Sequence, residues 1–293
     1  MQVYTFGRSV IGAAHIRSGT VCQDSFLTAT IGKNLILSVA DGHGSAAAEF
    51  SHDGSRIAAE VFCRVMAEYA ENYKESLRGQ AREKLSAIMK TEGYQSNTDR
   101  LIHFLNREGQ TKVAQTISEE WKKSVAEYHE EQGREDCLNE DGSFDEALLL
   151  RKYGSTLLGL FVSGGFVFAY QLGDGDIVRI DDNAIETLVE SEKLLGVETH
   201  SIGKPASWQS AHSKTMRIDK KGGLPYAYIL TSDGFSNSYP SEEEFRKALR
   251  GYFDAMKEHG AQAVEENLEG WLAETSEKGC GDDITMVASY YSE

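Results

Sequence analysis

The amino-acid sequence predicts an α+β domain in which helices, gathered into blocks, cover antiparallel sheets. Three observations carry that expectation. Apolar runs of strand length sit in pairs across tight turns. Helical periodicities fall in separate stretches instead of alternating with strands. No Gly/Ser-rich tract divides the 293 residues, and prolines number only 3, so one domain is expected over residues 1–293.

Residues 25–31 and 34–40 flank a Gly32-Lys33 turn, and Leu35, Ile36, Leu37 and Val39 are apolar enough for burial on both faces. Ile57, Val61, Phe62, Val65 and Tyr69 then form one stripe along a helix. Helix is also expected at about 77–132, either as core or as a docking insert, because Val113, Ile117, Trp121 and Val125 step by four. Residues 133–146 are polar and acidic and read as a solvated loop, not a second metal site. Strands return at 155–162, 166–172, 177–180 and 184–189, with Gly164-Gly165 turning the first pair.

Residues 190–213 are poorly patterned and read as a flap, and 226–231 as another strand. Ser241 and Glu244 form a capping box ahead of the stripe Phe245, Leu249, Phe253, Met256. A second helix carries Val264, Leu268, Trp271 and Leu272 and stops near Gly279, and residues 284–291 close the pattern as a strand. Trp121, Trp208 and Trp271 read as packing residues.

A net charge of −16 argues against a nucleic-acid surface and against anionic membranes, both of which need clustered Lys and Arg. The most apolar stretch, 157–172, is interrupted by Ser163, Gly164 and Gly165 and reads as a hairpin rather than a membrane span. Residues 1–12 lack the pattern of a signal peptide. Cys22, Cys63, Cys137 and Cys280 show no CxxC spacing, which fits a reducing, cytoplasmic setting.

Asp-Gly occurs at residues 41, 53, 141, 174 and 233. A single Asp-Gly is ordinarily a turn, and Asp53 and Asp141, in polar surroundings, read so. Asp41, Asp174 and Asp233 differ, because each closes an apolar strand and so sets a carboxylate at the rim of the core. Such a group is costly there unless a cation or a donor compensates it. Asp282, beside Asp283, opens the last strand, and Asp24 opens the first. Carboxylates and backbone carbonyls without a His/Cys cluster favour Mg²⁺ or Mn²⁺ over zinc.

Gln23-Asp24-Ser25, Asp41-Gly42-His43-Gly44, Gly154-Ser155-Thr156, Gly173-Asp174, Ser232-Asp233-Gly234-Phe235 and Gly281-Asp282-Asp283-Ile284-Thr285 resemble, in order and rough spacing, the type 2C family of metal-dependent Ser/Thr protein phosphatases. The resemblance runs from about residue 15 onward. It implies a four-layer α-β-β-α sandwich of two antiparallel sheets, with two divalent cations in a cleft at one end. By position, Asp41 resembles the ligand that bridges both metals, with the Gly42 carbonyl on one of them. Asp233 and Asp282 resemble ligands of the other, Asp24 the acid that holds metal-bound water, and Asp174 an acid of a third, weaker metal. His43 stands where the family has a histidine that protonates the leaving alcohol. The cations would activate a water for in-line attack, with no covalent phosphoenzyme. The implied substrate is a phosphorylated protein, and a monomer is expected.

The chain also departs from that pattern. Gln23 stands where many relatives have Glu, and Gly19 where a phosphate-binding arginine is expected, leaving Arg17 as the candidate and Arg8 as a more distant one. His15, near the same motif, reads as structural. Cys22 and Cys280 each precede a site acid by two residues, so they read either as small buried fillers or, by strand alternation, as thiols beneath the cleft where oxidation would disturb activity. The departures keep two alternatives open: a phosphoprotein-binding pseudophosphatase, and a hydrolase of small phosphorylated molecules.

Overall fold

A computed structural model describes residues 1–75, 97–139, 141–190, 199–218 and 223–293. Part of the helical segment expected at 77–132, residues 77–96, and part of the expected flap, 191–198, lie outside the described residues.

The strands are β1 (Gln2–Val10), β2 (Asp24–Ile31), β3 (Asn34–Asp41), β4 (Leu157–Ser163), β5 (Phe166–Leu172), β6 (Asp176–Asp181), β7 (Ile185–Thr187), β8 (His212–Arg217), β9 (Tyr226–Thr231) and β10 (Ile284–Ser292). They form two antiparallel sheets, one ordered β1-β10-β9-β6-β7 and the other β2-β3-β4-β5-β8.

Alternation along the strands explains how the sheets stack. Successive side chains point to opposite faces. In β3, Leu35, Leu37 and Val39 face one way, where they meet Leu158 and Leu160 of β4 and Tyr228, Leu230 and Val287 of the other sheet. Ile36 and Ala40 face the other way and pack under helices with Phe161, Phe168 and Tyr170. The outer face of the second sheet, with Phe6, Ile180, Ile229 and Met286, is covered by Phe245, Leu249, Phe253, Leu268 and Leu272. Three apolar layers separate four layers of structure, so the α-β-β-α sandwich that the resemblance implied is the observed architecture.

The short helix α1 (Ala13–Ser18) sits at the cleft end, its Ala13 amide donating to Ser276 Oγ, and the helices over the first sheet are α2 (Ser51–Glu75), α3 (Asn97–Glu108), α4 (Ala114–Glu131) and α5 (Glu146–Lys152). A π-helical turn, Gly109–Val113, joins α3 to α4. Val113, Ile117, Trp121 and Val125 are fully buried, and Trp121 Nε1 donates to the Gly54 carbonyl at 3.0 Å. The described part of the 77–132 segment is therefore core helix. The second sheet carries α6 (Asp233–Ser236), α7 (Glu242–His259) and α8 (Ala261–Lys278). Ser241 caps α7, accepting from the Glu244 amide at 3.3 Å.

Several elements differ from the sequence reading. Asp53-Gly54 is not a turn: it sits in the first turn of α2, where Asp53 is buried and paired with Arg134. Residues 199–218 are packed structure rather than a flap, with Ile202 buried and β8 paired to β5. Trp271 stays 37% exposed against Tyr252. The 133–146 loop contains buried Cys137. Its Asp136 approaches His129 and Cys137, yet is already neutralised by the Lys152 ammonium.

Candidate metal centre

The site is assembled from strand ends. Asp24 lies directly opposite Asp41 at the open end of the β2–β3 hairpin, so pairing register alone brings the first two carboxylates together. The next strand fixes the turn after Asp41. Its carbonyl accepts from the Thr156 amide at 2.8 Å, and its amide donates to Thr156 Oγ1 at 3.0 Å. Gly42 follows where no side chain fits, since a Cβ would stand 2.7 Å from the carbonyl oxygens of Gln23 and Ser51.

Asp233 begins α6 directly after β9. The preceding Ser232 donates to Asp24 Oδ2 at 2.6 Å and accepts from the Thr285 amide at 2.9 Å, linking both sheets beneath the acids. Asn237 Nδ2 holds Asp233 Oδ2 at 2.9 Å. Asp282 follows Gly281, whose φ of +82° is a left-handed value that only glycine adopts without strain. Asp174 follows β5 and accepts from Thr199 Oγ1 at 2.7 Å.

These ends enclose a cleft of about 200 Å³ whose acidic walls are Asp41, Asp174, Asp233 and Asp282. Gly42, His43 and His15 line it as well. Asp24 lies beneath, 6% exposed. Burial pushes the Asp24 carboxyl up to about 7, outweighing the hydrogen bonds from Ser232 and Thr285 that favour its charge. Burial, and then the charges of Asp24 and Asp233, hold Asp41 well above the usual carboxylate range. Asp233 is raised too, again mainly by burial.

Among the described residues, Asp24 Oδ1 and Asp233 Oδ1 are buried without a hydrogen-bond partner. Carboxylates forced together at such cost, with oxygen lone pairs left free, fit hard divalent cations, which would remove both the repulsion and the missing contacts. The residues present suit Mn²⁺ or Mg²⁺.

His43 is fastened by its amide, which donates to the Gly154 carbonyl at 3.1 Å. Burial lowers its pKa, against the pull of Asp174 and with the help of Lys204. Arg17 lies on the exposed side of α1 and does not line the cleft, although its guanidinium stands 3.6 Å from where a Gly281 Cβ would be. Arg8 is farther off, on the edge strand β1 near Glu269 of α8.

The fold also uses residues the sequence did not single out. His15, read there as structural, forms part of the cleft wall, with Nδ1 2.8 Å from Asp283 Oδ1. The tandem Asp282-Asp283 was the one available signal: the first acid faces the cleft, and the second is buried behind it. The two thiols sit differently: Cys22 Sγ lies 3.8 Å from the Asp24 carbonyl, beside the site acids, and Cys280 Sγ lies 3.4 Å from the Gly234 carbonyl at the surface. Residues 22 and 280 both precede their strands, so alternation does not govern them. Cys22 is a partly buried thiol pushed up to about 12 by burial, and Cys280 is exposed beside Ser238.

An acid-lined cleft at the end of an antiparallel sandwich has the donor set of a divalent-cation site. The family model described as Protein phosphatase 2C matches residues 11–273, and the chain belongs to that family. It is a metal-dependent protein serine/threonine phosphatase. Solved structures share the fold at low identity. The catalytic domain of the serine threonine protein phosphatase PstP, in complex with 2 manganese ions, is 13% identical, with TM-score 0.53 and 99% of each chain covered. PppA of Pseudomonas aeruginosa, a regulatory component of T6SS, is 15% identical with TM-score 0.54 and 99% of each chain covered. The S. agalactiae serine/threonine phosphatase is 14% identical with TM-score 0.52 over 100% of each chain. No curated protein sequence matches.

Proposed function

We propose that this chain removes phosphate from phosphoserine and phosphothreonine side chains of proteins at a binuclear centre held by Asp24, Asp41, Gly42, Asp233 and Asp282. Asp174 holds a third cation more weakly. The observation that carries this reading is the set of buried, mutually repelling carboxylates with unpartnered oxygens at Asp24 and Asp233. Manganese in the PstP structure favours Mn²⁺, with Mg²⁺ as the other candidate. Bound cations supply an acidified water and offset charge on the phosphoryl oxygens.

The chain's own groups do the rest. Asp41 and the Gly42 carbonyl, which no side chain can cover, would hold the cations. Asp24, beneath the cleft, orients water through its free oxygen. His43 gives a proton to the departing serine or threonine oxygen. Arg17, exposed beside Gly281, brings positive charge to the mouth of an otherwise acidic cleft.

We also propose one catalytic domain spanning 1–293, acting as a monomer in the cytoplasm without nucleic-acid or membrane partners. The net charge of −16 and the free cysteines support this setting. The test is hydrolysis of p-nitrophenyl phosphate and of phosphopeptides with Mn²⁺. Activity should vanish with EDTA and fall at least about a hundredfold in Asp233→Asn, as expected for loss of a cation's ligand. An inactive but folded, manganese-loaded protein would overturn the proposal.

A further inference from the structure

The cleft is walled by carboxylates, so a phosphoryl group entering it needs hydrogen-bond donors as well as cations. His15 has the geometry to supply one. Its Nδ1 lies 2.8 Å from Asp283 Oδ1. Asp283 is buried, and its oxygens also accept from the Gly12 amide at 2.6 Å and the Gln23 amide at 2.6 Å. A carboxylate surrounded by donors offers no proton, so Nδ1 must donate. This sets the ring's orientation and leaves Nε2 as its free position.

Nε2 points into the cleft. It stands 4.0 Å from where a Cβ on Gly44 would be, and among the described residues it has no hydrogen-bond partner. Gln23 Oε1 lies 3.4 Å from the same point, buried and unpartnered. Two free polar atoms from separate stretches of chain therefore converge on Gly44, beside His43 and Asp41. The helix carrying His15 is tied to the loop carrying Asp282, because the Ala14 amide donates to the Gly281 carbonyl at 2.8 Å and the Ala13 amide to Ser276 Oγ at 3.0 Å.

We infer that His15 is a phosphate-binding residue of this site, presenting Nε2–H to a non-bridging phosphoryl oxygen, with Asp283 as its positioning residue. The inference rests on the phosphatase reading above and adds a substrate contact to it. The second proton comes with the ligand: a monoanionic phosphoryl group carries one on oxygen, and sharing it with Nε2 closes a charge-assisted hydrogen bond between the phosphate and the ring held by Asp283.

The experiment compares the full-length, Mn²⁺-loaded wild type with His15→Ala, His15→Gln and Asp283→Asn. It measures KM and kcat for p-nitrophenyl phosphate, and the affinity for inorganic phosphate and for Mn²⁺ by calorimetry. His15→Ala should weaken phosphate binding and raise KM about ten- to hundredfold, with a smaller change in kcat and unchanged Mn²⁺ affinity. His15→Gln, which keeps a donor at similar reach, should recover part of the loss. Asp283→Asn should reproduce the His15→Ala defect although the imidazole remains. If that variant does not fold, the half-buried His15 variants decide. Unchanged phosphate affinity and KM in folded His15→Ala would overturn the inference. Loss of Mn²⁺ affinity with phosphate affinity intact would also overturn it, by making His15 a metal ligand. Phosphate affinity is read without turnover, so an inactive wild type would sink the phosphatase reading while leaving this comparison interpretable.

Discussion

Single carboxylates decide both the chemistry and its cost. Asp24 in the fold ionises near 7 instead of 3.8, so its neutral form is the one the folded protein favours. The stability this contributes is complete below about pH 4 and disappears as the pH climbs through 7. Metal-free protein should therefore melt at progressively lower temperature from pH 4 to pH 8, and Mn²⁺ should reverse the fall. Asp24→Asn should flatten that profile and raise the metal-free melting temperature at pH 8, while abolishing turnover. The energy involved is on the order of a few kcal/mol. His43 has its own signature. p-Nitrophenolate leaves without a proton, whereas a serine alkoxide does not, so His43→Ala should slow phosphopeptide hydrolysis about ten- to a thousandfold more than p-nitrophenyl phosphate hydrolysis. Equal losses on both substrates would remove the general-acid role.

At the scale of elements, the close contact between α2 and the first sheet depends on a missing side chain. A Cβ at Gly159 would lie 2.1 Å from the Phe62 ring, so Gly159→Ala should cost about 1–3 kcal/mol in chemical denaturation, and Phe62→Leu should restore part of it. Which elements the sequence revealed follows from the same packing. β3, β4, β5, β9 and β10 are buried on both faces, and their uninterrupted apolar runs announce them. β1 and β8 are edge strands whose residues are largely exposed or half-exposed, so neither has a clear apolar pattern. The short helices α1 and α5 span under two or about two turns and are held by partners distant in sequence. The acids were legible for a related reason: each ends or begins a strand whose apolar character makes a carboxylate conspicuous. His15 was not, because what gives it meaning is a hydrogen bond to Asp283 across 268 residues.

At the scale of the molecule, the three apolar layers hold the sandwich and the cations hold its open end. Chelation should accordingly lower the melting temperature while leaving the far-UV circular dichroism of the chelated protein at 25 °C unchanged, and the melting temperature should climb with free Mn²⁺ concentration as mass action requires. Loss of secondary structure on chelation would show that the cations hold more than the cleft. The pairing of β1 with β10, Gln2 against Ser292, has a consequence of another kind. β10 is an interior strand of its sheet, between β1 and β9, and the loop just ahead of it carries Asp282. During synthesis from the N-terminus, Asp24, Asp41 and Asp233 leave the ribosome before Asp282 and β10, so the sheet that must support them has a gap at its centre. A nascent chain should therefore gain activity only once translation has passed β10, and a protein truncated before Ile284 should be made and inert.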